Sequence, residues 1–378
     1  VSWNYPVHNM LGPIISSVFA GNAVVIKCSE HVVWSSRHVL EGVYRCLDAC
    51  GAPRDIVQLV ACGPMAVEAL TRDARLAHIT FIGSDAVGRR VAEAAAPQLT
   101  PTTLELGGKN PAVVDVSADI GKAAKMLAEA RMANGGQVCL CPDYVFVPEA
   151  KLGEFTDKVI AHWTKSFPTI YDNSDYTSTI NQKNYDRIVG LIDDAVELGA
   201  TKRQVIPGGE QLPSAERRQI PPTLLTGVKA GMKIADDEVF GPVLSVYPYR
   251  DLTEAITHIA ANPHPLTMYW CGDDNANFKR LADNTRSGSI NGNDFALHMF
   301  GAELPFGGIG RSGMGAYHGK TGFGTFSHAR AVAFSTMPFT VAEMIAPPFT
   351  KRDTRMANGQ IKFWSKLNKR AAKKARKR

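Results

Sequence analysis

Short apolar runs alternate with amphipathic stretches through the first third of the chain. NAVVIK (22–27), DIVQLVA (55–61) and HITFIG (78–83) read as buried strands. Between and after them, SSRHVLEGVYRCLDACG (35–51), MAVEALTRD and DAVGRRVAEAAA (85–96) carry helical spacing, the first ending on Gly51. The alternation resumes beyond Pro111 with PAVVDV as a strand, DIGKAAKMLAEARMANGG as a helix, DYVFVP as a strand and EAKLGEFTDKVIAHW as a long helix. Strands alternating with helices predict an α/β protein whose parallel sheet is covered on both faces. From about residue 200 the text turns rich in Pro and Gly, as loops and short strands are; LTEAITHIAAN and DNANFKRLADNTR then read as surface helices. After Arg330, AVAFSTMPFTVAEMIAPPFT is mostly apolar, but Glu343 and three prolines argue against a membrane span and predict an irregular segment lying over the body.

A chain of 378 residues is long enough for two domains, and its composition is that of a soluble globular protein. It opens on Val1 with no charged leader and no small-residue cleavage site, which reads as a fragment or trimmed chain rather than a signal peptide. The seven cysteines (28, 46, 50, 62, 139, 141 and 271) are odd in number and lack CxxC spacing, which fits free thiols in a reducing, cytoplasmic compartment. Cys46 and Cys50, four apart in a helical stretch, are expected to be packed inside. The net charge of +6 is unevenly spread: residues 361–378 hold nine Lys or Arg and no acid, leaving −3 on the rest.

Three readings compete for Cys139 in GGQVCLCPDY (135–144). A zinc site needs further Cys or His at ligand spacing, and none lies near. A disulfide to Cys141 is strained in most backbones. A nucleophile remains, with Gly135 and Gly136 expected to leave room for a substrate and for N–H groups facing an oxyanion. A free thiol is only about 3% thiolate at pH 7, so a base is needed. Glu105, on an apolar flank before Gly107-Gly108 in LELGGK, is the candidate, placed where partial desolvation would raise its pKa, although taken alone the motif reads more simply as a loop carboxylate beside a Gly-Gly turn. The strand-turn-helix GSDAVG places Gly83, Ser84 and Gly88 where amides and a helix N-terminus could hold a phosphate, although ordinary turn geometry explains those glycines equally. Lys27-Cys28-Ser29-Glu30, at another strand end, adds a base and an acid that could hold ribose hydroxyls and a phosphate.

SWNYP (2–6), KCSE (27–30), FIGSDAVG (81–88), LELGGK (104–109), GGQVC (135–139), DEVFGPV (237–243) and LPFGGIGRSGMGAYHG (304–319) stand in the order found in the aldehyde dehydrogenase superfamily. SGMGAYHGKTGFGTFSHAR (312–330) and GQVCLCPDYVFVP resemble its class 3 branch, which contains fatty, aromatic and coniferyl aldehyde dehydrogenases. The resemblance implies a Rossmann-type cofactor domain at 1–106, an α/β catalytic domain at 107–306, a return segment at 307–335 and an irregular segment with a basic tail at 336–378. It also implies NAD or NADP as cofactor, an apolar aldehyde as substrate and a homodimer. Cys139 is then the nucleophile, Glu105 the base that activates the hydrolytic water, and Asn4 with the Cys139 N–H the oxyanion hole. Lys27 and Glu30 are implied to meet the adenosine ribose, and Gly83, Ser84, Asp85, Ala86, Val87 and Gly88 the pyrophosphate. Trp3 and Leu106 line the cofactor, and Glu238 takes the nicotinamide ribose with Phe240 packed beside it.

Two departures stand out. Cys28 replaces the proline usual in the lysine motif, a change of loop stiffness more than of chemistry. The family pattern also carries about a hundred residues before SWNYP, so uncovered sheet edges are expected at the front. The tail KFWSKLNKRAAKKARKR reads either as a solvated, disordered run or as a segment that touches a membrane surface, with nucleic acid the weaker third reading. Alongside the enzyme stands a second reading, an impaired fragment that works through this tail as a membrane-surface or nucleic-acid binding protein.

Overall fold

The computed structural model describes residues 1–338 and 340–375 and divides into two units, Val1–His328 and Ala329–Arg378. In the first unit the chain enters with helix α1 (Pro6–Phe19), a stretch for which the apolar pattern predicted no element. Strand β1 (Val24–Lys27) and helix α2 (Val33–Ala49) follow, then β2 (Val57–Val60), α3 (Pro64–Thr71), β3 (Ile79–Ile82), α4 (Asp85–Ala95) and β4 (Thr102–Glu105). The parallel sheet expected here is in two pieces. β1 pairs with β2 alone, while β3 and β4 run parallel in a separate sheet. Gly51 closes α2 with a φ of +68°, the left-handed conformation that favours glycine at a helix end. Cys46 and Cys50 are exposed, contrary to expectation, because α2 turns Leu40, Val43, Tyr44 and Leu47 inward, with Cys46 off that face and Cys50 past the helix end at its C-cap.

The centre of the unit is a seven-stranded sheet. Its elements are β5 (Asn110–Val114), α5 (Ile120–Met132), β6 (Pro142–Pro148), α6 (Leu152–Ser166), α7 (Gln182–Glu197), β7 (Thr201–Gln204) and β8 (Thr223–Thr226). The short helix α8 (Lys233–Asp236), β9 (Val243–Tyr249), α9 (Leu252–Ala261), β10 (Thr267–Cys271), α10 (Ala276–Asn284) and β11 (Ser289–Gly292) complete it. The strand order is β11-β10-β5-β6-β9-β8-β7, parallel except where β7 meets β8. Alternation along the strands sorts side chains onto two cores. Ala112, Val145, Val147 and Tyr269 pack with Leu127, Phe155 and Trp163 of α5 and α6. Val113, Phe146, Met268 and Trp270 pack on the opposite face with Ile256, Ile259 and Leu281 of α9 and α10. Both faces being covered, these strands read as apolar runs without polar alternation. The chain returns through β12 (Gly313–Met314), which pairs antiparallel with β4 and so sets residues 313–314 beside Leu104 and Glu105.

In the second unit, residues 331–350 carry one short helix, Val341–Ile345, capped at both ends of a box by Thr340 and Glu343. The basic tail is a helix, Lys351–Ala375, where an irregular or disordered run was expected. Ala, Lys, Arg, Leu and Gln are strong helix formers, and their preference outweighs the charge repulsion that favoured disorder. Arg376, Lys377 and Arg378 lie outside the described residues. No described helix is long and apolar enough to cross a membrane.

Trp163 is fully buried and donates its indole N–H to the Ala128 carbonyl at 3.0 Å. Trp163→Ala is expected to lower stability by about 3–5 kcal/mol through the cavity and the unpaired carbonyl. Urea unfolding followed by circular dichroism would read that loss directly.

Candidate active site

The loop that carries Cys139 begins where α5 stops. Asn134, Gly135 and Gly136 take φ values of +48°, +62° and +77°, three left-handed residues in succession. The glycines are not there to make room for substrate, as the sequence suggested. A Cβ on Gly135 would lie 2.7 Å from the Thr177 carbonyl oxygen, and one on Gly136 only 2.1 Å from that of Gly241. Backbone fills the space on that side, so the turn is tightly held. Gln137 locks it further: its amide donates to Asn134 and Ser178 carbonyls at 3.0 and 3.2 Å and accepts from Ile180 N–H at 2.9 Å. Asn110, fully buried at the start of β5, donates to the carbonyls of Cys139 and Cys141 at 2.7 and 3.1 Å. Cys141 is buried with its thiol on the Ala130 carbonyl.

Two carboxyls, Glu105 and Glu238, act on the half-buried Cys139. Glu105, at the end of β4, is 2% exposed, and burial raises its carboxyl to about 7 while contact with the Cys139 thiol pulls it back. Its Oε1 accepts no hydrogen bond. The Cys139 thiol is pushed well above its ordinary range, first by burial and then by the charges of Glu105 and Glu238. Asn4 enters from the other side, its amide N–H donating to the Gln137 carbonyl at 3.1 Å. Ser2 donates to the Asn4 Oδ1 at 2.8 Å and Asn9 donates in turn to Ser2, which fixes the orientation of the Asn4 amide.

Beneath this cluster lies a buried ion network that sequence reasoning missed. Asp143, in the PDY run of β6, takes Arg131 at 3.0 Å and Lys109 at 2.7 Å, with only Lys109 reaching solvent at all. Arg131 also donates to the carbonyls of Gly136 and Pro142, and Lys109 to those of Ile234 and Asp237. Val239 N–H donates to Asp143 as well. One carboxylate thereby joins the cysteine loop to the loop that carries Glu238 and Phe240. The only signal in the sequence was a basic residue on an otherwise small-residue helix face, too common to be distinctive.

The residues proposed for the cofactor fall into several groups. Trp3 and Phe240 meet edge to face with ring centroids 5.5 Å apart. Glu238 stands against the turn after Glu105: a Cβ on Gly107, itself at a φ of +72°, would come within 3.0 Å of its carboxylate. Burial, then the Asp143 charge, raises the Glu238 carboxyl to about 8. Lys27 and Glu30, at the end of β1, lie 3.9 Å apart, and Glu30 is held below the usual carboxylate range by its own backbone N–H and by Lys27. Gly83 and Ser84 lead into α4, whose first turn contains Asp85, Ala86, Val87 and Gly88. Ser84 makes no side-chain cap, which leaves first-turn N–H groups for a phosphate. Asp85 pairs with Arg89 and Arg311, so its charge is offset there. Gly88 has a packing reason as well, since a Cβ would lie 2.4 Å from Leu106. Lys27 and Glu30 follow a strand of a different sheet from the strand that leads into Gly83–Gly88; a base, carboxyls, a helix N-terminus and an aromatic pair are group types able to meet a nicotinamide dinucleotide. Among the described residues no group of three or more His, Cys, Asp or Glu could hold a metal ion.

A thiol in contact with a protonatable glutamate, on an α/β scaffold, is an arrangement capable of nucleophilic chemistry. Residues 1–332 match the model of the aldehyde dehydrogenase family. The chain belongs to that family, whose members oxidise aldehydes with NAD or NADP. It is 39% identical to a Caulobacter vibrioides protein named "Probable coniferyl aldehyde dehydrogenase", over 95% of this chain and 73% of the relative. It is 36% identical to aldehyde dehydrogenase family 3 member A2 of Rattus norvegicus, over 87% of this chain and 65% of the relative. Among solved structures, Mycobacterium tuberculosis aldehyde dehydrogenase complexed with NAD+ superposes with a TM-score of 0.79 at 29% identity, covering 90% of this chain and 68% of that one.

A carboxyl whose folded pKa is raised from 4.5 to about 7 favours the fold when protonated, and that preference is lost as pH rises through this window. Glu105→Gln is therefore expected to match the parent in stability below about pH 4.5 and to exceed it by on the order of 1–3 kcal/mol above pH 7. Thermal unfolding at pH 5 and pH 8 measures the difference. Asp143→Asn strands two buried cations and is expected to cost about 3–5 kcal/mol. A guanidinium chloride titration showing a loss below about 1 kcal/mol would contradict the network's importance.

Proposed function

We propose that the protein oxidises an apolar, fatty or aromatic aldehyde to its carboxylic acid through a thioester on Cys139. The observation that carries this reading is the enclosed contact between the Cys139 thiol and a Glu105 carboxyl raised to about 7, which makes that carboxyl a proton acceptor near neutrality. NAD or NADP, when bound, supplies a hydride acceptor and a positive ring charge near the sulfur. Glu105 takes the thiol proton, and the thiolate adds to the carbonyl carbon to give a tetrahedral thiohemiacetal. The oxyanion accepts hydrogen bonds from the Asn4 amide and the Cys139 N–H, the first already oriented by Ser2 and Asn9. Loss of the aldehydic hydrogen with its electron pair leaves a thioester. Glu105, having passed its first proton to solvent, then takes a proton from water, the hydroxide adds to the acyl carbon, and the sulfur departs as thiolate with release of the acid.

The surroundings of Cys139 support the apolar substrate class. Tyr5, Phe295, Phe306 and Tyr317 share its cluster. Phe306 stacks between His298 and His318, with centroids at 5.4 and 5.2 Å. Burial pushes both imidazoles down to about 4, so they are neutral at ordinary pH. Tyr317 OH, His8 Nε2 and His318 Nδ1 are buried without partners, and a substituted aromatic ring offers atoms to meet them. We propose further that residues 1–106 and 307–335 form the cofactor side and 107–306 the catalytic side. Two copies are expected to assemble, in the cytoplasm.

Rapid mixing with NAD or NADP and either coniferyl aldehyde or a long-chain aliphatic aldehyde tests the scheme. Cys139→Ala is expected to form no reduced cofactor. Glu105→Gln is expected to give at most one turnover's worth and then stop, while steady-state turnover of the parent rises with pH through about 7. Reduced cofactor from Cys139→Ala, or undiminished turnover in Glu105→Gln, would overturn the assignment.

A further inference from the structure

The helix Lys351–Ala375 takes no part in the chemistry above, and its two sides differ sharply. At about 100° per residue, six of its nine basic residues, Lys351, Arg355, Lys362, Lys366, Lys369 and Lys373, fall within an arc of roughly 60°, while Arg352, Arg370 and Lys374 fall outside it. Met356, Ile361, Phe363, Trp364 and Leu367 occupy a separate arc of roughly 160°, and all five side chains are exposed, Ile361 and Trp364 to more than 60%. Phe363 and Trp364 meet edge to face at 5.8 Å. The helix has nine Lys or Arg against a single acid, Asp353, whose carboxylate is spent on capping Thr350.

We propose that this helix lies in the plane of an anionic lipid surface, its aromatic arc in the headgroup boundary and its basic stripe on the phosphates. Charge and low hydropathy exclude a crossing, whereas a high ratio of segregated charge to mean hydropathy is what an interfacial helix shows. Charge complementarity selects the lipid as occupant. Pairing with a second copy would cover the apolar arc but leave both basic stripes on the outside, without the acids that stitch paired helices together. A nucleic acid would satisfy the stripe and leave Ile361, Phe363 and Trp364 in water. An anionic bilayer satisfies both arcs at once.

The test is flotation of the full chain with extruded phosphatidylcholine vesicles with and without about 30% phosphatidylserine. Co-flotation is expected with the anionic vesicles, at least about tenfold weaker with phosphatidylcholine alone and weakened by about 0.5 M salt. The pair Phe363→Ser and Trp364→Ser, and separately the triple Lys362→Glu, Lys366→Glu and Lys369→Glu, should each reduce binding about tenfold while NAD(P)H formation from a water-soluble aldehyde stays unchanged. Absence of flotation, equal binding to both vesicle types, or indifference to both sets of substitutions would overturn the proposal. So would displacement from vesicles by a duplex oligonucleotide, which assigns the stripe to nucleic acid, or a lipid-free dimer lost in the serine pair, which assigns the apolar arc to a second copy.

Discussion

The Asp143 carboxylate is the point at which the catalytic side of this molecule is tied together. It sits on β6 with Arg131 and Lys109 around it, and through them it holds carbonyls from Gly136, Pro142, Ile234 and Asp237. Two loops about a hundred residues apart in sequence are thus referred to one fixed charge. Removing such a charge from water is costly, and only the full set of hydrogen bonds makes it tolerable. Everything proposed for Cys139 and Glu238 depends on their loops keeping a common frame, and this cluster provides it.

The site also shows groups held in states that a folded interior does not prefer. Glu105 and Glu238 are two carboxyls that burial raises, Glu238 further by the charges of Asp143 and Glu105, both in surroundings that favour the neutral form. Stability would be better served by amides at both positions. Their cost is borne by the apolar cores on either side of the seven-stranded sheet, where Trp163, Phe155 and Trp270 are packed away from water.

Much of this was legible in the residues. The alternation of apolar runs located strands β1, β2, β3, β5 and β6 and helices α2 to α6, but not β4, whose TTLE is too short and polar to stand out. Glu105 could be read as a desolvated carboxyl from its flanking Leu104 and Leu106, and the burial of all three follows. Three things were hidden. Gly135 and Gly136 looked like open space, whereas the carbonyls that fill it come from Thr177 and Gly241, distant in sequence. Asn110 and Arg131 act through backbone groups of other segments, and a hydrogen bond to a carbonyl leaves no mark on the sequence of the residue that accepts it. The tail's charge density suggested disorder, while the segregation of that charge at helical spacing pointed the other way.

The three left-handed residues ahead of Cys139 bear on when conformational entropy is lost. A loop free to move would have to be frozen each time a substrate arrived, and that ordering would be subtracted from every encounter. Here the turn is fixed by the collision a Cβ would suffer and by Gln137, so the ordering takes place once, as the chain folds. Binding energy from the aldehyde is then left for the change from trigonal to tetrahedral carbon, which is where a catalyst can use it.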